Sequence, residues 1–510
     1  MEVRGGESLQ RYILMKFDKL IFWVTILLIY IMATRISIDS DTWWHLRAGQ
    51  WMVQNRQILT LDIFSYTRYG AEWRYPGWLV EIPMAALVTM FGLGSLNLVS
   101  GFLIALTFVF IYWTIEGNHF QKAFLLILAA TVSGVYWSAR PHLVTLLLTA
   151  IFLYLFEKAA QKGYWSVRRK LWISLPGLML IWVNSHGGFV IGFLLWGIYF
   201  FDCLTQAIYD AWLQKQSLKE LLKNQDLRTL TITGIAMGII ANLNPLGYRI
   251  FLYPFQTVSI RTLQKFIEEW QSPNFHSLNF QPFIWLLVLL IWVSAFSGKR
   301  WLFRDALLVT IFLYLALLAG RNVALFALSA PLPIGRLLAG WNSNNLLKIS
   351  FLKRDISQGN SIKDYPKLNL LIAMILFLGC IYRSYLAYHE PIVQRELDKF
   401  YPVEAVKYLK MRMPAGHLFN SYNWGAYLLW ELPEYPVFVD GRTDLYNDEV
   451  LEQWLRVVQL RDGWEDVLER WQIGVILMER EWNVAKFLQQ NGWCKSYQDE
   501  IALVLEKCQP

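Results

Sequence analysis

Long apolar runs separated by short polar loops dominate the chain. These runs lie at residues 20–36, 96–115, 122–138, 143–157, 171–183, 188–208, 229–241, 281–297, 305–320, 322–340 and 368–385. An α-helix needs roughly 20 predominantly apolar residues to cross the hydrocarbon core of a bilayer, and the longer runs reach or approach that length. The pattern predicts a polytopic α-helical membrane protein with about eleven spans.

A further apolar stretch, 78–95, is less regular than the eleven runs. It carries Glu81 and Pro83 and ends in two glycines, so it makes a poor free-standing span. Counting it as a span would also place the basic loop 158–170 outside, against the cytoplasmic bias of Lys and Arg. We therefore predict a juxtamembrane or re-entrant helix here, within a first outside loop of about residues 37–95.

Lysine and arginine are concentrated before the first run and in alternate loops. The basic positions are Arg4, Arg11, Lys16 and Lys19, the loop around Lys122, and the loops 158–170, 209–228, 298–304 and 341–367. Cytoplasmic loops of membrane proteins carry such an excess. The pattern predicts a multi-pass protein of the plasma (inner) membrane with a cytoplasmic N-terminus. The loops predicted to be cytoplasmic carry only ordinary Lys, Gln and Ser, so we expect no functional site at that end of the protein.

The composition changes after the last apolar run. Residues 402–412 and 426–432 have the spacing of helices, whereas 436–440, 473–478 and 501–506 have the composition of strands. We predict a transmembrane domain at 1–389 and a small extracytoplasmic α/β domain at 390–510. Two interpretations stay open for Cys494 and Cys508: a disulfide in an oxidising compartment, or two unpaired thiols.

The overall composition agrees with a membrane protein. The chain has 510 residues, of which 55% are hydrophobic and 17% charged, and its mean hydropathy is +0.32. Its 25 Trp and 25 Tyr suit anchoring at membrane interfaces. The net charge of +8 does not indicate a nucleic-acid partner, because the basic residues lie in short loops between apolar runs.

The predicted topology places every unusual polar cluster on the outside. These clusters are DSDTWWH (39–45), WLVE (78–81), ARPH (139–142), NSHGG (184–188), NPLGYR (244–249), EEW (268–270) and GRN (320–322). Polar residues gathered at one end of a helical bundle indicate a water-filled cavity there. We therefore predict the functional site at the outer end.

Three acidic residues are the candidates for catalysis. Asp39 and Asp41 follow the first span, where a partly dehydrated carboxylate acts as a general base or binds a divalent cation. The alternative is that Asp41 is only the N-cap of the helix that follows. Glu81 lies in an apolar stretch, where an unpaired carboxylate is costly, and this favours a functional role. The sequence specifies no metal-ligand set and no cofactor beyond that cation.

Candidate substrate-binding residues lie in the outside clusters and in the C-terminal part. They are His45, Arg140, His142, Asn184, His186, Arg249, Arg321, Asp440, Arg442 and Asp444. Several arginines beside carboxylates suit a phosphate or pyrophosphate, although each arginine alone could extend to lipid headgroups instead. The histidines lack the spacing of a zinc site. The last three residues contact an acceptor or simply form a turn after a strand.

With these motifs in place, the chain resembles the C-type glycosyltransferase superfamily, polytopic enzymes that use a lipid-phosphate-linked sugar. Protein O-mannosyltransferases and bacterial aminoarabinose transferases are examples. The shared features are the acidic motif after the first span, the long first outside loop, its second acidic residue Glu81, and the final soluble domain. More narrowly, DSDTWWHLRAG, DIFSYT, WLVE, ARPH, NSHGG, NPLGYR, YNWGAYLLW and VFVDGRTDLY resemble uncharacterised bacterial membrane glycosyltransferases.

The resemblance implies a glycosyltransferase of the cell envelope. It would move a sugar from a polyprenyl-phosphate donor within the membrane to an extracytoplasmic acceptor, which is a glycan, a lipid or a protein. Asp41 first, or Asp39 second, would deprotonate the acceptor hydroxyl, which would attack the anomeric carbon with inversion. Arg140, Arg249 or Arg321 would stabilise the departing phosphate. The KPPL element of mannosyltransferases is replaced by YPGWLVE, without a lysine, which shifts the phosphate contact to the arginines.

Other classes of protein share parts of this pattern. A lipid or polysaccharide transporter or flippase has a polar cavity too, but predicts polar residues near mid-span and often internal repeats. A lipid-linked glycan polymerase or ligase shares the donor, but places its catalytic loop late in the chain. A catalytically inactive assembly scaffold is a third alternative.

Overall fold

The computed structural model describes residues 15–215, 217–339 and 365–508. Within these ranges the chain is mostly helical, with a small sheet near the C-terminus. Arg4, Arg11 and residues 341–364 of the predicted cytoplasmic loop lie outside the described residues.

A bundle of apolar helices occupies most of the chain. Six helical segments are long and apolar enough to cross a membrane: Gly94–Thr114, His142–Lys162, Gly187–Leu213, Leu278–Phe296, Gly320–Ala339 and Pro366–Tyr388. Shorter helices cover the other predicted spans: Phe17–Ala33, His119–Ser133, Arg168–Val183, Gln225–Ile240 and Phe303–Leu318. Each apolar run of the sequence therefore folds as helix in the described ranges, and the number of spans stays a prediction.

The predicted juxtamembrane segment is also a helix, Trp78–Phe91. It packs on the helix Asp41–Asn55, which begins directly after the acidic motif. The two helices meet at Gly49, where an added Cβ would lie 2.1 Å from the Glu81 carbonyl oxygen. Only glycine allows this close approach of the two backbones.

The loop before the eighth predicted span folds into short helices. They are the 3-10 turn Gly247–Phe251, the helices Tyr253–Ser259 and Arg261–Phe266, and the 3-10 turns Glu268–Trp270 and Leu278–Phe280. The turn Glu268–Trp270 contacts the turn Gly320–Asn322, so two of the predicted polar clusters come together.

The C-terminal region combines short helices with a four-stranded sheet. The helices are Glu390–Leu397, Val403–Arg412, Tyr422–Glu431, Thr443–Val458, Trp464–Arg470 and Asn483–Gln490. The strands are β1 (His417–Asn420), β2 (Ile473–Glu479), β3 (Trp493–Gln498) and β4 (Ala502–Lys507), in the order β1-β2-β4-β3. β1 runs parallel to β2, and β4 is antiparallel to both of its neighbours. A disulfide joins Cys494 to Cys508, as one of the two interpretations predicted.

The strand prediction for residues 436–440 is wrong. Val437 makes only an isolated bridge, to Ser65 of the first outside loop. The Thr67 hydroxyl also donates to the Phe438 carbonyl oxygen over 2.6 Å. The segment therefore uses its backbone groups to hold the first outside loop instead of joining the sheet.

One hydrophobic core joins the C-terminal region to the first outside loop. Trp43 packs edge-on against Tyr401 and Tyr427, with ring centroids 5.4 and 5.0 Å apart. The predicted boundary at 389/390 falls between the helices Pro366–Tyr388 and Glu390–Leu397. The packing unit on its C-terminal side nevertheless includes residues of the first outside loop, whereas the helical bundle has a separate core.

The opposite end of the bundle carries a buried ion network that the sequence prediction missed. Arg336 contacts Glu157 over 2.7 Å and also binds Asp305, and Arg304 lies 3.3 Å from Asp202. The expectation of only ordinary Lys, Gln and Ser at this end is therefore wrong. These charges sit at the ends of apolar runs, where the hydropathy pattern hides them.

Candidate active site

Arg140 holds three carboxylates together at the outer end of the bundle. Its Nη1 donates to Asp41 Oδ2 over 2.6 Å, and its Nη2 donates to Glu269 Oε2 over 3.0 Å. Its Nε lies 3.2 Å from Asp39 Oδ2. The sequence prediction named Asp39, Asp41 and Arg140 for this site, and the structure brings them into contact. It missed Glu269 as a site residue, although the EEW cluster was recognised.

Local structure explains how these side chains meet. Asp41 is the first residue of the helix Asp41–Asn55, and its N–H donates to Asp39 Oδ1 over 3.0 Å. The N-cap position is Ser40, so Asp41 is not the N-cap, and its carboxylate binds Arg140 instead. Arg140 precedes the helix His142–Lys162, and Glu269 lies in the turn Glu268–Trp270.

The charges in this cluster do not balance: among the described residues, its three carboxylates form ion pairs with two arginines, Arg140 and Arg321. Burial is the largest influence on Asp41; with Asp39 and Glu269 it raises the pKa of Asp41 to about 7, against the opposing effect of Arg140. Burial also acts to raise the pKa of Glu269, but Arg140 and Arg321 outweigh it and lower that pKa to about 2. Asp41 is therefore the carboxylate that exchanges a proton near neutral pH.

Arg321 lies at the edge of the cluster. Its Nη1 is 3.5 Å from Glu269 Oε1, and its guanidinium lies 4.3 Å from the centre of the Trp270 ring. The side chain is 27% exposed, against 14% for Arg140. Arg321 is therefore the more accessible of the two cations for an anionic ligand.

Glu81 forms a buried pair with His45. His45 Nδ1 lies 2.8 Å from Glu81 Oε1, and Trp44 covers the imidazole with ring centroids 3.5 Å apart. Burial lowers the pKa of His45 and raises that of Glu81, so both groups favour their neutral forms. His45 is four residues after Asp41, one helical turn away on the same face, so the pair supports the backbone that carries Asp41.

His142 and His186 lie near each other, with ring centroids 6.4 Å apart. His142 Nε2 lies 2.6 Å from the Tyr136 carbonyl oxygen and therefore carries the proton. Gly188 N–H donates to His186 Nδ1 over 3.0 Å, so His186 carries its proton on Nε2. Each histidine thus has one nitrogen engaged by the protein backbone.

Trp44 and Gly441 border the Asp41 carboxylate. The Trp44 indole N–H is buried and has no hydrogen-bond partner among the described residues. A Cβ at Gly441 would lie 1.9 Å from Asp41 Oδ1 and 3.4 Å from Trp44 Nε1. The glycine therefore leaves space for Asp41, and the indole is a donor available to a ligand oxygen beside it.

Two predicted substrate-binding residues have other contacts. The Asn184 amide donates to the Leu180 and Leu243 carbonyl oxygens over 2.9 and 2.8 Å and accepts from Trp78 Nε1 over 2.8 Å. Its side chain thereby anchors the helix Trp78–Phe91. Arg249 is 59% exposed and lies 3.7 Å from Glu72. None of its described contacts is with the Arg140 cluster.

The structure revises the predicted acceptor role of Asp440 and Arg442. Both side chains are fully buried, with 2.7 Å between Arg442 Nη2 and Asp440 Oδ2. Arg442 Nη1 also donates to Asp62 Oδ1 over 2.6 Å. An acceptor cannot reach groups enclosed in this way, so they join the segment around Gly441 to the first outside loop. Asp444 is only partly buried; it accepts hydrogen bonds from the Tyr253 hydroxyl over 3.0 Å and from the Trp73 indole over 3.4 Å.

A divalent cation was the one cofactor considered from the sequence. Within the described ranges, no three His, Cys, Asp or Glu side chains are arranged as metal ligands. At the acidic motif, Arg140 provides the positive charge between the carboxylates.

The chain is similar to several solved structures at low sequence identity. The oligosaccharyltransferase AglB from Archaeoglobus fulgidus, solved with an inhibitory peptide and a dolichol-phosphate, matches 90% of this chain and 69% of its own at 11% identity and a TM-score of 0.54. A second structure is an Archaeoglobus fulgidus oligosaccharyltransferase tethered to an acceptor peptide with the NVT sequon. The match covers 96% of this chain and 74% of that protein, at 12% identity and a TM-score of 0.54. For ArnT from Cupriavidus metallidurans, the match covers 95% of this chain and 96% of that protein, at 13% identity and a TM-score of 0.47.

The likeness shows that the chain shares its fold with these oligosaccharyltransferases. No protein-family model matches the sequence. No curated protein matches it either.

Proposed function

We propose that the protein transfers a sugar from a polyprenyl-phosphate-linked donor to an extracytoplasmic acceptor, with Asp41 as the general base. The observation that carries this proposal is the Arg140 cluster, in which the surplus carboxylate is Asp41. Burial raises the pKa of Asp41 to about 7, where a carboxylate is both available as a base and strong enough to accept a hydroxyl proton.

The proposed reaction is a single displacement. The Asp41 carboxylate accepts the proton of an acceptor hydroxyl, and the hydroxyl oxygen bonds to the anomeric carbon of the sugar. The bond between that carbon and the phosphate oxygen breaks, and the lipid phosphate leaves with the electron pair. Attack opposite to the leaving group inverts the anomeric configuration.

The arginines divide two tasks in this proposal. Arg140 is occupied by three carboxylates, so it positions Asp41 and opposes the rise of its pKa. Arg321 is more exposed and contacts only Glu269 among these carboxylates, so it is assigned to the donor phosphate. The AglB structure contains a dolichol-phosphate, which supports a lipid phosphate as a ligand of this chain. Glu81 is assigned a positioning role through His45.

The proposed location is the outer face of the plasma membrane, with a cytoplasmic N-terminus and an extracytoplasmic C-terminal region. The Cys494–Cys508 disulfide supports this side, because such bonds persist in oxidising compartments. The eleven proposed spans place the cluster and the disulfide on the same side of the membrane.

Donor turnover tests the proposal without knowledge of the acceptor. The purified protein in nanodiscs would be incubated with a panel of synthetic polyprenyl-phosphate monosaccharides. Transfer of the sugar to water or to added glycans releases polyprenyl phosphate, which would be followed by mass spectrometry. Asp41→Asn should reduce release from the preferred donor by about 100-fold or more, because it removes the base. Asp462→Asn, at an exposed position of the C-terminal region, is the matched control and should retain activity.

The contradicting results are equally definite. If Asp41→Asn releases polyprenyl phosphate as fast as the parent protein, Asp41 is not the base. If the parent protein turns over none of the polyprenyl-phosphate sugars, the donor class is wrong.

A further inference from the structure

A cleft opens between the acidic motif and the C-terminal region. Its volume is about 550 Å³, within the range of pockets that hold small molecules. Ser40, Phe400, Asn423, Glu479, Trp482 and Glu500 are among the residues that line it. Ile38 and Ser40 belong to the segment that carries Asp39 and Asp41, so this segment forms part of the wall of the cleft.

The floor of the cleft lies at the ends of two parallel strands. β1 ends at Asn420 and β2 ends at Glu479, and because the strands are parallel these ends meet at one edge of the sheet. The Ser421 hydroxyl donates to Glu479 Oε1 over 2.6 Å. Glu479 Oε2 is buried and has no hydrogen-bond partner among the described residues. A carboxylate oxygen left without a donor in a cleft is a strong acceptor for a ligand group.

The charge of the cleft favours a cationic ligand. Three glutamates line it, Glu479, Glu481 and Glu500, against one lysine. Lys399 donates to Glu396 over 2.7 Å, and Glu481 lies 3.9 Å from Arg480, so Glu479 and Glu500 provide the negative charge of the lining. A phosphate group would face unfavourable carboxylates here, whereas an ammonium group would be attracted by them.

The aromatic lining favours a ligand with flat, partly apolar faces. Phe400 is 51% exposed, and Trp482 is partly exposed and packs edge-on against Trp454 with ring centroids 6.1 Å apart. Aromatic faces bind ammonium groups and the C–H faces of ring-shaped ligands, while Ser40 and Asn423 supply hydrogen-bonding groups beside them. Sugar rings with amino groups combine these properties.

We propose that this cleft binds the acceptor, and that the acceptor is a glycan with a positively charged amino sugar. The ammonium group lies against Glu479, the sugar ring lies against Phe400 and Trp482, and a neighbouring hydroxyl extends past Ser40 towards Asp41. The inference rests on the proposed transfer reaction, since it assigns the acceptor of that same site. The donor phosphate is placed on the other side of Asp41, at Arg321.

Direct binding tests the cleft without any donor. The full-length protein in nanodiscs would be titrated with the disaccharide of glucosamine, with cellobiose, with glucose 6-phosphate and with n-butylamine, and the intrinsic tryptophan fluorescence recorded. The glucosamine disaccharide should bind at least about tenfold more tightly than each of the other probes, because it alone combines a sugar ring with a positive charge. Glu479→Gln should weaken its binding by about tenfold, whereas Glu452→Gln, at an exposed position away from the cleft, should not.

Each other outcome overturns the proposal. Equal binding of cellobiose shows that charge is not recognised, and equal binding of n-butylamine shows that the sugar ring is not. Tighter binding of glucose 6-phosphate shows an anion site, and unchanged binding by Glu479→Gln shows that the ligand lies elsewhere. Because this assay contains no donor, its failure is separate from a failure of the Asp41→Asn turnover test, which measures the transfer reaction.

Discussion

At the scale of single residues, motif chemistry identified the centre of the site but not its whole membership. Asp39, Asp41 and Arg140 were predicted from charged groups at a membrane edge, and they are in contact. Glu269 was missed because it lies 228 residues after Asp41 and its neighbours carry no distinctive motif beyond two acids and a tryptophan. Its role depends on how a later loop folds back, which local spacing does not encode.

Burial explains why other predicted residues have structural roles instead. Arg442 is surrounded by Asp62 and Asp440, and Asn184 uses its amide to hold the helix Trp78–Phe91. A polar residue in a loop has the same appearance in a sequence whether it contacts a ligand or another part of the chain. Only the partners found in the fold distinguish the two cases.

Gly441 gives a prediction at the residue scale. Gly441→Ala would place a Cβ 1.9 Å from Asp41 Oδ1, so the carboxylate must move away from its position on Arg140. We expect donor turnover to fall by about 10- to 100-fold, because small displacements of a reacting group are costly. The rate of polyprenyl-phosphate release would measure this loss of turnover.

The control for this substitution is Gly238→Ala, where an added Cβ meets nothing within 4 Å. That variant should keep both its turnover and its thermal stability. Full turnover in Gly441→Ala would show that the position of Asp41 does not depend on the C-terminal region.

At the scale of elements, the helices were far more predictable than the strands. Each apolar run corresponds to a helix because burial in a membrane requires a long continuous apolar segment. β2 and β4 were predicted because both are almost wholly buried, whereas β1 and β3 are short or largely exposed and gave no signal. Residues 436–440 have the composition of a strand, but pair with Ser65 in an isolated bridge.

The buried ion cluster around Arg442 gives a prediction at the element scale. Arg442→Met leaves the Asp62 and Asp440 carboxylates buried without their cation, although its side chain fills similar space. We expect the free energy of unfolding to fall by about 3–5 kcal/mol. Chemical denaturation followed by tryptophan fluorescence would measure the change.

Arg461→Met serves as the comparison, since Arg461 forms an exposed pair with Glu452 and should contribute less than about 1 kcal/mol. Equal destabilisation by the two substitutions would contradict the proposed anchoring role of Arg442.

At the scale of the whole molecule, the proposed topology depends on where basic loops lie. The sequence predicted polar chemistry at one end and simple basic loops at the other, but the Glu157–Arg336 network shows buried charge at both ends. That network joins Glu157, Asp202 and Asp305 to Arg304 and Arg336, so it holds a surplus of carboxylates as the outer cluster does. The two ends differ in exposure instead: the acidic side chains of the inner network are 1–4% exposed, whereas those of the outer cluster are 20–23% exposed.

Cysteine labelling tests this arrangement. Single cysteines at the exposed positions Ser166 and Lys410 should react from opposite sides of the membrane, Lys410→Cys with an impermeant reagent outside and Ser166→Cys only after permeabilisation. The native thiols Cys203 and Cys380 are buried and should give little background. Labelling of both variants from outside would refute the proposed topology.

The pH dependence of donor turnover tests the central claim most directly. A base must be deprotonated, so turnover of the parent protein should rise with pH and be half-maximal near the raised pKa of Asp41, about 7. Glu269→Gln removes a neighbouring negative charge that raises this pKa, so its midpoint should move to lower pH. A profile that does not change between about pH 5 and 9, or a midpoint that Glu269→Gln moves to higher pH, would contradict Asp41 as the base.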